Sequence, residues 1–185
     1  MNPVMAKLTS PCIEELLPRE KLKPLIDALT RKKLTLVTAG AGYGKTSLVS
    51  WGIDQAGVKN IWYHLDPSDS NLEDFFGHLA AGMRKHYSGF LAQLPETDES
   101  NTLAARFLAE LEGCLSDDFY LILDNYHLVH ENDNIESFMQ FIIDHIPHGF
   151  HLVLVSRAVP KLKLSRLMAD RQLNWIRQDE LRFHD

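Results

Sequence analysis

The stretch Val37-Thr38-Ala39-Gly40-Ala41-Gly42-Tyr43-Gly44-Lys45-Thr46-Ser47 decides the fold of this 185-residue chain. It continues the apolar, β-prone segment Leu34-Thr35-Leu36-Val37 and precedes residues 48–53, which have helical character. A strand, a glycine-rich loop that ends in Gly-Lys-Thr, and a helix together form a phosphate-binding loop. The stretch therefore predicts a site for the phosphate groups of a nucleotide.

The residue types in this loop suit a polyanion. Glycines allow successive backbone N–H groups to turn inward and approach phosphate oxygens, and the following helix N-terminus favours an anion. Lys45 is predicted to bridge the β- and γ-phosphates, and the Thr46 hydroxyl is predicted to bind Mg²⁺. The predicted nucleotide contacts are Ala39, Gly40, Ala41, Gly42, Tyr43, Gly44, Lys45, Thr46 and Ser47.

One position departs from the strict pattern. Five residues before Gly44 the motif requires glycine, and this chain has Ala39. Gly40, Gly42 and Gly44 remain in the loop, so the sequence is interpreted as a variant of the motif.

A second half of the site is predicted about eighty residues downstream. The apolar run Phe119-Tyr120-Leu121-Ile122-Leu123 is typical of a buried parallel strand, and it ends in Asp124. Asp124 is predicted to hold Mg²⁺ together with Thr46. Arg157 ends another buried strand and is predicted to sense the γ-phosphate through a forked, charge-assisted contact.

The residue after Asp124 bears on hydrolysis. Many phosphate-loop proteins carry Asp or Glu there, and that carboxylate polarises the attacking water. This chain has Asn125, which cannot accept the proton, so slow or weak ATP hydrolysis is expected. Asp66, at the end of the second strand, is a candidate for the missing carboxylate; alternatively it caps its turn. Arg19, before the first strand, is a candidate contact to the base or ribose, or a surface charge.

Composition and charge argue against several other classes of protein. The chain suits one α/β domain, with residues 1–18 as an irregular lead-in containing Pro3, Pro11 and Pro18. Its formal net charge of −6 argues against direct binding of nucleic acid. It lacks a secretory signal and any membrane-spanning run, and Cys12 and Cys114 share no metal or redox spacing. A cytoplasmic protein with reduced thiols and no membrane partner is expected.

Strands alternate with helices along the chain. The predicted strands are residues 34–37, 61–65, 119–123, 150–155 and 172–176. Helices are predicted from Arg19 to about Thr30, after the phosphate loop to about Ala56, from the Asn71 cap, over the stripe 103–115, over 135–146, and over 162–169. This alternation predicts a mostly parallel five-stranded sheet with helices on both faces. Because ligands bind at the carboxyl ends of such strands, the loop, Asp66, Asp124 and Arg157 are expected at one edge.

Five segments also carry a family resemblance. They are Ala41-Gly42-Tyr43-Gly44-Lys45-Thr46, Trp62-Tyr63-His64-Leu65-Asp66, Leu121-Ile122-Leu123-Asp124-Asn125-Tyr126-His127, Leu152-Val153-Leu154-Val155-Ser156-Arg157 and Asp179-Glu180-Leu181-Arg182-Phe183. With Lys7-Leu8, Pro11 and Arg19-Glu20, they resemble the nucleotide-binding domain of the large ATP-binding LuxR-type bacterial regulators, the family of the maltose-regulon activator. The resemblance covers nearly the whole chain, in order.

This resemblance implies more than the residues do. Such regulators are signal-transduction ATPases of the STAND class, with a P-loop NTPase domain of the ASCE type. ADP holds a closed monomer, whereas inducer with ATP permits self-association, and a C-terminal helix-turn-helix binds promoters. The resemblance thus implies ATP or ADP and Mg²⁺ as ligands. It also implies that the winged-helix, sensor and DNA-binding domains lie beyond residue 185, so that DNA is bound only through a part absent here.

Two other functions remain open from the sequence. One is an enzyme that transfers a phosphoryl group to a small acceptor, as kinases do. Such an enzyme needs a pocket for the acceptor and usually a mobile lid that carries an arginine. The sequence shows no clear lid of this kind. The other is an interaction module with a vestigial nucleotide site, which would bind neither ATP nor ADP.

Overall fold

A computed structural model describes residues 6–11, 23–29, 31–93 and 99–182 of the chain. One five-stranded sheet lies at its centre, with the strand order β2-β3-β4-β1-β5 and parallel pairing throughout. The strands are β1 Leu34–Thr38, β2 Lys59–His64, β3 Phe119–Asp124, β4 Phe150–Ser156 and β5 Leu173–Arg177. The predicted α/β fold with a parallel sheet is thereby confirmed.

Helices occupy most of the connections between the strands. They are α1 Lys23–Leu29, α2 Lys45–Ala56, α3 Leu72–Met83, α4 Ser100–Cys114, α5 Asp133–Asp144, α6 Ser165–Ala169 and α7 Gln178–Leu181. Two short 3₁₀ helices, Pro67–Asp69 and Tyr126–Leu128, directly follow β2 and β3. No helix within these described residues is long and apolar enough to cross a bilayer.

Side chains alternate between the two faces of each strand, and each face has its own core. On one face, Val37 and Ile122 pack with residues of α1 and α2. On the other, Leu36 and Leu121 pack with residues of α3, α4, α5 and α6. Because both faces are covered, β1 and β3 are buried at every position.

Local signals in the sequence explain several element ends. Gly57 ends α2 in the left-handed conformation, with φ 60°. Asn71 caps α3, as predicted, by accepting a hydrogen bond from the N–H of Asp74. The predicted start of the first helix at Arg19 lies outside the described residues.

The helix predicted over 162–169 is shorter in the structure and begins only at Ser165. Leu162 and Leu164 are buried, whereas Lys161 and Lys163, each of which precedes one of them, are exposed. The buried side chains of a helix recur every three or four residues, and this period of two explains why the helix does not reach back to Leu162.

Residues 6–11 contact β2, which is an edge strand, as well as α2 and α3. Leu8 is 3% exposed and packs at Gly82 of α3. Further along, the Ser10 hydroxyl donates to the Asn60 side chain, and the Ser50 hydroxyl donates to the Pro11 carbonyl. We call residues 6–11 the N-terminal strap. It joins β2 to α2 and α3.

A buried ion pair anchors the strap. The Lys7 ammonium lies 2.9 Å from a carboxylate oxygen of Asp69, whose side chain is fully buried, and 2.8 Å from Asp66. Asp69 also lies 2.9 Å from the Nδ1 atom of His78 and accepts a hydrogen bond from the Asp66 N–H. Removal of the ammonium would leave Asp69 buried without its principal counter-charge.

We expect Lys7→Met to lower the free energy of unfolding by about 3 kcal/mol, since breaking a buried pair from one side costs about 3–5 kcal/mol. Lys7 is partly exposed, which favours the lower end of that range. Chemical denaturation measures the change. Lys59→Met is the matched control, because Lys59 pairs with Asp117 on the surface, where both side chains are at least half exposed. An equal loss in the two variants would contradict the role of the buried pair.

Candidate functional site

The phosphate loop, residues 39–47, lies at the carboxyl edge of the sheet between β1 and α2. Asp124, which ends β3, is buried there with a side chain 4% exposed. The Thr46 hydroxyl donates to this carboxylate, with Oγ1 3.1 Å from Oδ2 and 3.3 Å from Oδ1. The two predicted magnesium ligands are therefore adjacent, although 78 positions separate them in the chain.

Lys45 folds back along the loop that precedes it. Its ammonium donates to the carbonyl oxygens of Ala39, at 2.8 Å, and Gly40, at 2.6 Å. These bonds use two of three donors, so one remains for a phosphate oxygen. Burial, together with the nearby charge of Arg157, lowers the pKa of Lys45, whereas Asp124 acts to raise it. The loop thus places a partly desolvated cation at its centre, where an anion would be favoured.

Two glycines determine the path of the loop. Gly42 has φ 79° and Gly44 has φ 75°, a region that residues with side chains rarely adopt. An added Cβ at either position would meet no atom within 4 Å, so the loop is open on that side. Gly44 is also the N-cap of α2, where it offers no side chain to bond the first N–H groups of the helix. Those groups are orphan donors suited to a phosphate.

Ala39 tolerates its methyl group for two reasons. Its φ is not positive, unlike that of Gly42 and Gly44, so glycine is not required by the backbone. Its side chain is 5% exposed and packs into the core on the α2 face of the sheet. The departure from the strict motif is thus accommodated without changing the loop.

Arg157 follows β4 and is exposed at the same edge. Its backbone N–H donates to Nδ1 of His127, at 3.4 Å, and its charge acts on both Lys45 and His127. Burial, with the charges of Arg157 and Lys45, lowers the pKa of His127. His127 is therefore a neighbour of both cations, although sequence reasoning assigned it no role; its place just after Asp124 in the chain was the available signal.

His64 is a second residue that sequence reasoning missed. It ends β2 and is the register partner of Asp124 in β3, with Nδ1 3.3 Å from Oδ2 of Asp124. Asn125 lies on the other side of that carboxylate, and its backbone N–H donates to Oδ1 at 2.9 Å. Asn125 has φ 63°, a left-handed conformation that asparagine tolerates better than most residues. The pairing of β2 with β3, unknown from sequence, was needed to find His64.

Asp66 is engaged in a turn. Its carboxylate accepts from the Ser68 N–H and pairs with Lys7, with side-chain exposure of 47%. The contacts with Lys7 and Ser68 lower the pKa of Asp66 to about 2. This is the turn-capping alternative considered above. Arg19 lies outside the described residues.

A third missed contact comes from the far end of the chain. The Gln178 side-chain oxygen accepts from the Gly40 N–H at 3.2 Å, so α7 touches the phosphate loop. Nearby, Trp175 donates from its ring N–H to the Thr38 hydroxyl at 2.9 Å, and the Arg177 guanidinium lies over the Trp175 ring. β5 thus links the end of β1 to α7, the helix that follows β5. The contact between Gln178 and Gly40 could not be found from the sequence, because it depends on the pairing of β5 with β1, whose partner residues are 139 positions apart.

The fold and this arrangement define the class. A parallel sheet with a glycine-rich loop between β1 and α2, and an aspartate at the end of β3 beside the loop threonine, is the P-loop NTPase fold. Among solved structures, the ORC1 protein of Aeropyrum pernix, determined in complex with DNA, matches 88% of this chain and 45% of its own, with a TM-score of 0.59. The two sequences are 14% identical, so this likeness concerns the fold.

Sequence comparison gives the relationship. The chain is homologous to the HTH-type transcriptional regulator MalT: it is 31% identical to MalT of Yersinia enterocolitica serotype O:8 and to MalT of Yersinia pestis strain Pestoides F, each over 192 aligned residues. These alignments cover 98% of this chain and 20% of the relatives, so the chain spans about a fifth of their length. No family model matches. The resemblance found in the sequence is confirmed.

The depressed pKa of Asp66 gives a pH prediction. In the folded chain the Asp66 carboxyl stays ionised down to about pH 2, whereas in the unfolded chain it takes up a proton near pH 4. The contact with Lys7 and Ser68 therefore contributes its full stabilisation above about pH 4 and loses it as the pH falls towards 2. Asp66→Asn removes the charge but keeps a side-chain oxygen for the Ser68 N–H. The variant should be less stable than the parent above about pH 4, and the difference should shrink as the pH falls towards 2. Denaturation at several pH values measures it; a difference independent of pH would contradict the ion pair.

Proposed function

We propose that this chain is the ATP- and ADP-binding switch module of a signal-responsive bacterial transcriptional regulator. The observation that carries the proposal is the contact between Thr46 and Asp124 beside an open phosphate loop centred on Lys45. Homology to MalT supports the assignment to a regulator. Binding of nucleotide, and not its rapid consumption, is the proposed activity.

The phosphates would be held by the loop and by the start of α2. An added Cβ at Gly42 or Gly44 would meet no atom within 4 Å, so the loop has open space beside it, and the α2 dipole favours negative charge at the start of the helix. The third donor of Lys45 would contact the β- and γ-phosphates. The remaining predicted contacts, from Ala39 to Ser47, shape the loop or donate their N–H groups. Arg19 stays a proposed contact to the base or ribose.

Thr46 and Asp124 fit a magnesium ion by their chemistry. A hydroxyl and a carboxylate are hard oxygen donors, the ligands that Mg²⁺ prefers, and the two groups already lie in contact. Thr46 donates its proton to Asp124 and so keeps its lone pairs for a cation. When bound, the ion neutralises charge on the β- and γ-phosphates. Thr46 would bind it directly and Asp124 through water.

Arg157 is the proposed γ-phosphate sensor. Its charge already acts on Lys45, which places the two cations near one another, and its side chain is exposed and so able to reach a ligand. A guanidinium forms forked bonds with phosphate oxygens. A third phosphate would therefore reduce the repulsion between Arg157 and Lys45, which gives the site a means to distinguish ATP from ADP.

Slow hydrolysis follows from the residues beside Asp124. Asn125 offers no base, and Asp66, with a pKa of about 2 and a bond to Lys7, is a poor one. The absence of a base at Asn125 and the low pKa of Asp66 both favour slow hydrolysis. The ATP-bound state would then be long-lived, as a molecular switch requires. Homology to the regulators favours this reading over phosphoryl transfer to a small acceptor, and product analysis with candidate acceptors would separate the two.

The partners of the whole regulator belong to the same proposal. Self-association in the ATP-bound state is inferred from the family resemblance, as is DNA binding through a helix-turn-helix outside residues 1–185. The net charge of −6 supports the view that this part does not itself hold DNA.

Lys45→Ala should lower the affinity for ATP by about 10- to 150-fold, because a charge-assisted hydrogen bond contributes about 1.5–3 kcal/mol and Lys45 would make at least one. Titration calorimetry measures the loss. The control is Lys32→Ala: Lys32 also donates to a backbone carbonyl, that of Arg171, but precedes β1 at the opposite end of the sheet. Unchanged affinity in Lys45→Ala would refute the site, and no binding of ATP or ADP by the parent would favour a vestigial module.

Asn125→Asp should raise the steady-state rate of ATP hydrolysis by about tenfold or more, since a positioned base contributes on the order of 10²–10⁴. Aspartate also tolerates the left-handed backbone at this position. Phosphate release measures the rate. Asn134→Asp is the control, because it adds the same charge on an exposed side chain in the first turn of α5, where the helix dipole favours an acidic residue. Fast hydrolysis by the parent that survives Asp66→Ala would contradict the slow switch.

A further inference from the structure

The carboxylate of Asp124 is held from three directions. The Asn125 N–H donates to Oδ1 at 2.9 Å, and the Thr46 hydroxyl approaches both oxygens, nearest to Oδ2 at 3.1 Å. The third neighbour is Nδ1 of His64, which lies 3.3 Å from Oδ2. The first two neighbours come from the motifs that any phosphate-loop protein has, whereas His64 comes from a different strand.

The sheet fixes the place of His64. In β2 and β3, His64 and Asp124 are register partners, so their side chains face the same side, that of α2. The strand ends are joined just beyond this pair, because the Leu65 N–H donates to the Asp124 carbonyl at 3.0 Å. The His64 ring also lies against Trp62, which is buried, with 5.7 Å between ring centroids. The imidazole is thus held where it meets the carboxylate.

The chemistry of the contact decides which group is the hydrogen-bond donor. An ionised carboxylate only accepts hydrogen bonds, so the approach of Nδ1 is favourable when that nitrogen carries a proton. The ring then restrains Oδ2 on the α2 side of the sheet. Its other nitrogen remains on a side chain that is 32% exposed, at the rim of the site. Groups that orient a metal-binding carboxylate from behind commonly change metal affinity by about 10–100-fold.

We propose that His64 is a positioning residue that orients the Asp124 carboxylate and thereby sets how strongly Mg²⁺ strengthens nucleotide binding. The inference rests on the proposed function, since it presupposes that Thr46 and Asp124 form the metal seat. His64 does not contact the phosphates in this scheme. Its effect is therefore confined to the part of the binding energy that depends on the metal.

The experiment compares ATP affinity in saturating Mg²⁺ and in EDTA, by titration calorimetry on the full chain. The ratio of the two dissociation constants measures the contribution of the metal. For His64→Ala, we expect this ratio to fall by about tenfold or more, with the affinity in EDTA unchanged. His64→Asn, which keeps a side-chain N–H donor near the position of Nδ1, should restore part of the ratio.

The matched control is His86→Ala. The His86 ring lies against Phe119 and near the Asn60 carbonyl, at the opposite ends of the same two strands, and it is exposed. Its ratio should equal that of the parent. Thermal melting followed by circular dichroism checks that each variant is folded, and His64→Asn carries the test should His64→Ala not fold.

The outcomes separate the two claims. A parent whose ATP affinity does not respond to Mg²⁺ overturns the metal seat, and the inference with it. A parent that responds, with a His64→Ala variant that responds equally, overturns the role of His64 alone. An equal loss of affinity in Mg²⁺ and in EDTA, or the same fall in His86→Ala, shows a general structural effect and also overturns it.

Discussion

The contact between the Thr46 hydroxyl and the Asp124 carboxylate is the constraint on which the rest of the site depends. It joins α2 to β3 across the carboxyl edge of the sheet, at 3.1 Å, with the carboxylate almost completely buried. A buried carboxylate is costly unless its oxygens are hydrogen-bonded, and here the oxygens have donors from Thr46 and Asn125. The same oxygens are the atoms that a hard cation would seek. The contact that satisfies the buried carboxylate therefore also groups the two proposed ligands of the cation.

The parallel sheet makes this contact possible. Because all five strands point the same way, the phosphate loop, Asp124 and Arg157 leave the sheet at one edge. Side-chain alternation then decides which residues meet there. His64 and Asp124 face α2 because Trp62 and Ile122, two residues earlier, belong to the core on that face. The proposed metal seat and its proposed positioning residue follow from one rule of strand geometry.

Two segments at the ends of the chain complete the edges of the domain. The N-terminal strap contacts β2 and is anchored by Lys7 on the buried carboxylate of Asp69. At the other edge, β5 pairs with β1, and Gln178 contacts Gly40 of the phosphate loop. Segments near both ends of the chain thus contact the site or the turns beside it. The contact of Gln178 links the phosphate loop to α7, which follows β5.

The sequence by itself determined the class of fold, the phosphate loop and the pairing of Thr46 with Asp124, because these features are encoded by local patterns. Glycines at the positive φ angles, an apolar strand ending in aspartate and a regular alternation of elements are all visible in short windows. It did not determine that α6 begins only at Ser165, because Leu162 and Leu164 are apolar and their burial does not follow the helical period. Only the tertiary structure decided that His64 meets Asp124, that His127 lies beside Arg157 and that Gln178 reaches Gly40. Those contacts depend on the strand order β2-β3-β4-β1-β5, and strand order is set by packing between distant segments, which no local pattern records.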